Sequence, residues 1–212
     1  MNDAAQETYN TWNKIGDLYQ EKFMHLDLYN ESYDLFCSYI KASPAHVLEI
    51  GCGPGNICNY LSGQRPDLKI LGTDFAPNMV ALAQKNNPQA DFKVLDARKI
   101  KELDQKFEAI ISGFCLPYLS PEEVKSLLED TKTMLQPGGI IYLSFVAGKP
   151  EQSGMVTGST GDRLYFYYHP AEDLIHLLKG NGFRVLKQIE VDYQRQQDQK
   201  ETHSILIAVA AD

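Results

Sequence analysis

From residue 46 onward the chain alternates short, almost wholly apolar runs with amphipathic segments, and this alternation restricts the fold more than any other feature. The runs HVLEIG (46–51), LKILGTD (68–74), DFKVL (91–95), FEAIISGF (107–114) and IIYLSFV (140–146) read as buried strands. Strands covered on both faces and separated by helices pair in parallel, with right-handed crossovers that put helices on each side. The clearest helix signal is Ser120-Pro121-Glu122-Glu123, a capping box with proline at the first helical position, ahead of apolar Val124, Leu127, Leu128 and Leu135. Gln136-Pro137-Gly138-Gly139 marks its stop. The alternation fails near the carboxyl terminus. A helical segment over 170–179, closed by Gly180-Asn181-Gly182, leads into two strand-like runs at 183–193 and 203–211 with only the polar turn QRQQDQKET between them. With no helix to carry a crossover they pair as an antiparallel hairpin, which makes the sheet mixed. Ahead of the alternating region, Trp12, Ile15, Tyr19, Phe23 and Leu26, then Leu28, Leu35, Phe36, Tyr39 and Ile40, fall at helical spacings and predict a pair of helices ended by Ser43-Pro44.

The strongest chemical signal is VLEIGCGPGN, where the first strand runs into Gly51-x-Gly53-x-Gly55 and then into a helix beginning near Asn56. Such a loop turns tightly and lets a ligand approach the backbone, with unpaired helix N–H groups just beyond. A dinucleotide fingerprint, G-x-G-x-x-G, would place its third glycine at position 56, which is asparagine here. Glu49 lies two residues before the first glycine, where a carboxylate repels a pyrophosphate but suits a ligand carrying ammonium and sulfonium charges. Asp74 closes the second strand, where a carboxylate can accept from both ribose hydroxyls, and Asp96 follows the third, where it can accept from an adenine amine. These residues favour S-adenosylmethionine over a dinucleotide.

VLEIGCGPGN, ILGTDFAPNMVALA, KVLDAR, FEAIISGFCLPYLS and MLQPGGIIYLSF together resemble the class I S-adenosylmethionine-dependent methyltransferases that act on small molecules, over residues 45–147. The resemblance implies a Rossmann-like α/β fold, with a seven-stranded mixed sheet in the order 3-2-1-4-5-7-6, strand 7 antiparallel, and helices on both faces. It implies in-line methyl transfer from S-adenosyl-L-methionine, leaving S-adenosyl-L-homocysteine. It also implies that Glu49, Gly51 and Gly53 border the methionine portion and that Asp74 holds the ribose. Phe75 and Met79 would flank the adenine, Asp96 and Ala97 would meet its edge, and Gly113 and Phe114 would lie beside the sulfonium. The chain departs from the family at Ala76, where serine or threonine is common, and near Pro117 and Tyr118, where a histidine often stands. A protein that binds S-adenosylmethionine without transferring its methyl group and a dinucleotide oxidoreductase are the alternative readings.

The substrate side carries weaker signals. Tyr9, Trp12, Tyr19 and His25 on the first helices can cap the cofactor as a lid, with Tyr19 the one taken as cofactor-binding. Cys115, Pro117 and Tyr118 follow the fourth strand. The stretch 148–170 holds a glycine-rich half and then RLYFYYHP, read either as a mobile substrate-side insertion or as a short extra strand on the sheet. His169 and Tyr118 are the candidate acceptor-side groups, and His169 also stands where a helix cap would. No N-P-P-Y or D-P-P-Y follows the fourth strand, which argues against the amino methyltransferases of nucleic acids and protein glutamine. The expected organisation is a single methyltransferase domain: a helical cap (1–43), a cofactor-binding core (44–147), the insertion (148–170), and a terminal helix with its hairpin (171–212).

A length of 212 residues suits one such domain. A net charge of −8 and the lack of a long basic run argue against a nucleic-acid partner. No apolar run approaches the roughly 18 residues of a membrane span, and MNDAAQETYN lacks a secretion signal, so a cytoplasmic protein with no membrane partner is expected. Cys37, Cys52, Cys58 and Cys115 are scattered without a C-x-x-C pair, and neither a metal nor a disulfide framework is expected.

Overall fold

The computed structural model describes residues 3–158, 160–196 and 199–211. Its main sheet takes strands β1 (Ala45–Ile50), β2 (Leu68–Asp74), β3 (Asp91–Val94), β4 (Phe107–Gly113), β5 (Leu135–Val146), β8 (Phe183–Gln196) and β9 (Gln199–Ala210) in the order β3-β2-β1-β4-β5-β9-β8. The first five are parallel, and β9 runs antiparallel between β5 and β8. The expected order therefore holds, with β8 and β9 as its sixth and seventh strands. Helix α4 (Asn56–Gln64), helix α5 (Pro77–Asn86) and helix α6 (Pro121–Met134) follow β1, β2 and β4, and α7 (Ala171–Gly180) precedes the terminal hairpin.

The sheet separates two apolar layers. Leu48, Ile110, Ile141 and Leu206 point to the side covered by α6 and α7, while Val47, Ile111, Tyr142 and Ile207 face the side covered by α4 and by α3 (Asn30–Tyr39). Period-two alternation thus buries both faces of the central strands, and the apolar runs need no polar side. On α6, the Glu123 N–H donates to Ser120 Oγ at 3.2 Å, and the Ser120 N–H donates to Glu123 Oε2 at 2.8 Å. The Arg65 guanidinium ties α3 to the core by donating to the carbonyls of Cys37, Ile40 and Ala42, while Asp67 binds it at 2.7 Å.

Four sequence expectations change. The amino-terminal helical pattern breaks at Ile15 into α1 (Asp3–Lys14) and α2 (Gly16–Phe23), because Gly16 is buried against Leu82 and Met79 of α5. Strand β5 starts at Leu135, since Gln136 to Gly139 bulge into the ladder beside Phe107 instead of forming a turn. The terminal hairpin stays paired as far as Gln196 and Gln199, so most of the expected turn is strand. Within it, residues 197 and 198 lie outside the described residues. The 148–170 stretch forms a separate two-stranded ribbon, β6 (Gly154–Thr157) with β7 (Arg163–Phe166), and not an extra strand on the main sheet. Among the described residues no helix is long and apolar enough to cross a membrane.

Candidate active site

The strand order reverses between β1 and β4, and in open α/β sheets that reversal leaves a crevice at the carboxyl ends of the strands. A cavity of about 720 Å³ occupies it. All eleven sequence-predicted cofactor residues line this cavity: Tyr19, Glu49, Gly51, Gly53, Asp74, Phe75, Met79, Asp96, Ala97, Gly113 and Phe114.

The glycine loop is fixed by the end of β2. The N–H groups of Gly51 and Cys52 both donate to the Thr73 carbonyl, at 2.8 and 2.9 Å. Gly51 has φ +72°, and a Cβ there would sit 2.8 Å from Cys115 Cβ, so neither the backbone nor the space admits a side chain. Asp74 clamps the loop from β2: its carboxylate accepts the Gly53 N–H at 3.0 Å and the Ala76 N–H at 2.9 Å. Each oxygen keeps a further lone pair for a ligand. Asp74 therefore has a structural role as well, because its removal would strand two backbone donors.

Glu49 is the most unusual group in the molecule. It is 1% exposed, and neither carboxylate oxygen has a hydrogen-bond partner. Burial pushes its pKa up to about 8; the Cys58 N–H in the first turn of α4 counters the rise and the nearby Asp74 charge adds to it. Burial likewise lifts Asp74 to about 6, against the pull of the Ala76 and Gly53 amides. Two buried acids in one cavity, with a shortage of donors, describe a wall prepared for a cation and for hydroxyl donors.

Asp96 is differently placed. It forms a forked pair with Arg98 at 2.8 Å through Nε and Nη2 and also accepts the Arg98 N–H. Arg98 reaches Glu123 of the α6 cap at 3.2 Å, so the end of β3 is tied to that helix. The Asp96 carboxylate reaches the cavity already carrying three bonds, and its role there is more structural than its position in the sequence suggested.

Aromatic side chains from α1 and α2 line one side of the cavity. Trp12 stands edge-on to both Tyr19 and Tyr118, with ring centroids 5.1 and 5.2 Å apart. Helix α1 is joined to the β6–β7 ribbon: Thr11 Oγ1 donates to the Arg163 carbonyl, Thr8 Oγ1 accepts the Tyr165 N–H at 3.0 Å, and Glu7 pairs with Arg163 at 2.7 Å. Asn86 Nδ2, donating to the Pro54 carbonyl and to Gln20 Oε1, links the loop to α2. Of the substrate-side candidates, Trp12, Cys115 and Tyr118 line the cavity. Tyr9 instead packs on Phe75, Pro117 is buried, and His25 is exposed. Burial raises the Cys115 thiol to about 12, too high for a nucleophile near neutrality.

His169 is a correction. Its ring is buried outside the cavity wall, Nε2 is 3.0 Å from the Leu116 carbonyl, and its backbone bridges to Ala147. The ring locks the ribbon's end to the sheet. The histidine that does reach the cavity is His203 on β9, accompanied by Tyr29, Tyr193 and Glu201. No local pattern marks these residues in the sequence; the hairpin's length brings Tyr193, Glu201 and His203 to the site, where they meet Tyr29 at the start of α3.

Residues 47–139 match the family model described as a methyltransferase domain. The trans-aconitate 2-methyltransferase of Variovorax paradoxus is 31% identical over 107 residues, which is 50% of this chain but only 40% of that relative's length. The ubiquinone/menaquinone biosynthesis C-methyltransferase of Desulfotalea psychrophila is 26% identical over 92% of this chain and 83% of its own. The magnesium protoporphyrin IX methyltransferase of Synechocystis PCC 6803 shares the fold, with a TM-score of 0.74 at 17% identity, over 100% of this chain and 99% of that one. Sheet order, glycine loop and strand-end acids agree with that match, and over residues 47–139 the chain is similar to the S-adenosylmethionine-dependent methyltransferases.

Proposed function

We propose that this chain binds S-adenosyl-L-methionine and transfers its methyl group to a small-molecule acceptor. The observation that carries the reading is Glu49: two buried carboxylate oxygens with no partner, at the end of β1 beside Gly51, suit the ammonium of the cofactor's amino-acid end. Asp74 supplies lone pairs for the ribose hydroxyls, and Phe75 and Met79 offer an apolar slot for a purine ring. The bound cofactor would supply an electrophilic methyl group on a sulfonium. The chain's part is then to align the acceptor with that methyl and to exclude water, and the Trp12–Tyr19–Tyr118 cluster with the ribbon-bound α1 provides the cover.

The cavity wall also bears on the acceptor. Glu49, Asp74, Asp96, Glu123 and Glu201 face Lys22 and Arg98, and Arg98 is already paired to Asp96 and Glu123. An anionic acceptor would meet repulsion, so a neutral or cationic one fits. The acidic overall balance points the same way and away from nucleic acid. Calorimetric titration tests the reading. S-adenosylhomocysteine should bind and raise the melting temperature, and NAD and NADP should not. Dinucleotide binding with no response to the adenosyl compound would overturn it.

A further inference from the structure

Part of the cavity is ringed by aromatic side chains. Tyr29 at the start of α3, Phe114 after β4, Tyr193 on β8 and His203 on β9 enclose it. The Tyr193 and His203 rings stack at 4.8 Å with a 15° interplanar angle, and Phe114 stands edge-on to His203 at 4.8 Å and 5.1 Å from Tyr29. Phe114 adopts φ +54°, a conformation few large side chains take. Its N–H is held by the Ser144 carbonyl at 3.0 Å and Ser144 Oγ at 3.1 Å. That strain places one aromatic ring in this part of the cavity.

Within this part, Tyr29 Oη lies 2.7 Å from His203 Nδ1, and His203 Nε2 lies 3.6 Å from Glu201 Oε2. His203 is 6% exposed, and Nε2 has no hydrogen-bond partner. Among the described residues, Tyr193 and the paired Val191 from β8, Phe114 after β4 and the paired Val146 from β5 also adjoin His203, and none of these four is charged. A carboxylate on the Nε2 side favours the tautomer with its proton there, which leaves Nδ1 bare to accept from the Tyr29 hydroxyl. Burial lowers the imidazole's affinity for a proton and Glu201 raises it, with burial the larger effect. The ring therefore rests neutral, with Nδ1 facing the Tyr29 hydroxyl.

We propose that Tyr29, His203 and Glu201 form a proton relay for a neutral aromatic acceptor bearing an ionisable O–H, a phenol, which stacks in the ring-lined part of the cavity. This rests on the methyltransferase reading above. The phenol's O–H donates to Tyr29 Oη. As the phenolic oxygen forms its bond to the methyl carbon, its proton passes to Tyr29 and the Tyr29 proton passes to His203 Nδ1. The electron pair of the broken carbon–sulfur bond remains on sulfur as a neutral thioether. The proton ends on His203 as an imidazolium facing Glu201.

The relay has a readout independent of methyl transfer. With the protein saturated by S-adenosylhomocysteine, 4-nitrophenol is titrated in at one pH unit below its own ionisation, and the phenolate absorbance is read. In the wild type the bound phenolate fraction should exceed that of free probe by about threefold or more, because the relay accepts the proton. Y29F keeps the ring packing but removes the hydroxyl and should return the fraction to the free value; H203Q should do the same, and E201Q should reduce the excess. S-adenosylhomocysteine affinity is measured first on every protein and should stay within about twofold, since none of the three residues belongs to the donor half. Absence of 4-nitrophenol binding, or an equal phenolate fraction in wild type and Y29F, overturns the relay. Failure of the wild type to bind S-adenosylhomocysteine overturns the methyltransferase reading instead.

Discussion

Replacing Glu49 with Gln should stabilise the ligand-free protein in alkali and weaken its hold on the cofactor, two effects of opposite sign from one buried carboxyl. Unfolded, this glutamate ionises near its ordinary 4.5; folded, burial holds it protonated up to about 8. Between those values the unfolded chain gives up the proton and the folded chain keeps it. Stability therefore falls as pH rises through the window, by about 1.4 kcal/mol per pH unit and about 5 kcal/mol in all. Glutamine carries no such penalty, but its amide inherits a site with no partners, at about 1–3 kcal/mol. The variant should accordingly be less stable than wild type near pH 5 and about 2–4 kcal/mol more stable near pH 9. Asp74, lifted to about 6, titrates in both proteins and largely cancels in the difference. Urea unfolding across that range gives the stability, and calorimetry with S-adenosylhomocysteine gives the affinity. Because the ligand's ammonium needs the ionised carboxylate, wild-type affinity should rise up to about tenfold per pH unit between pH 6 and 8. E49Q should bind more weakly and without that slope. A stability difference between the two proteins that stays constant from pH 5 to 9 would refute the reasoning, since Glu49 would then be ionised or partnered in the folded state.

Asp74→Ala should lose about 1–3 kcal/mol of stability as the Gly53 and Ala76 amides lose their acceptor. It should also bind S-adenosylhomocysteine on the order of ten- to a hundredfold more weakly. An unchanged dissociation constant by calorimetry would mean that the ribose lies elsewhere. Helix α1 and the β6–β7 ribbon should respond to ligand as one body, because Thr8, Thr11 and Glu7 bind Tyr165 and Arg163. Hydrogen exchange with S-adenosylhomocysteine should show protection rising together over 5–23 and 154–167. Protection confined to 49–56, 74–79 and 96–98 would show that the cover is static.

The donor half of the cavity was legible because each of its residues sits at the end of a strand that announces itself. Asp74 and Gly113 close β2 and β4 and Glu49 lies one residue before the close of β1, and a parallel sheet puts those closes side by side. Local pattern and tertiary position coincide there. They part at the termini. The helical period across Trp12 to Leu26 runs unchanged through the break at Ile15; the one local sign is Gly16, which packs against α5 and opens the second helix. His169, before a proline and at the edge of a tyrosine-rich run, looked accessible, yet the Leu116 carbonyl and the bridge to Ala147 draw it into the body of the protein. His203 sits in the apolar run HSILIAVAA, reads as ordinary strand, and is brought to Tyr29 across 174 positions by a hairpin whose length the polar residues 194–202 disguised.

That division follows from energetics as much as from chain order. Among the described residues, the buried polar side-chain atoms without partners include Trp12 Nε1, both Glu49 oxygens and His203 Nε2, and all four belong to residues lining the one cavity. Each left unmatched costs about 1–3 kcal/mol, a substantial share of the 5–15 kcal/mol by which a domain is stable. A core built only for stability would replace them with apolar groups of similar shape. Three further such atoms, Asn87 Oδ1, Ser112 Oγ and Ser204 Oγ, lie on residues outside the cavity lining, so the cavity holds four of the seven, and there the unmet capacity is open to a ligand. Binding that satisfies these atoms returns the cost to the folded state. The ligand-free form should consequently be the least stable state of this protein, and the cover formed by α1, α2 and the ribbon its most readily opened part.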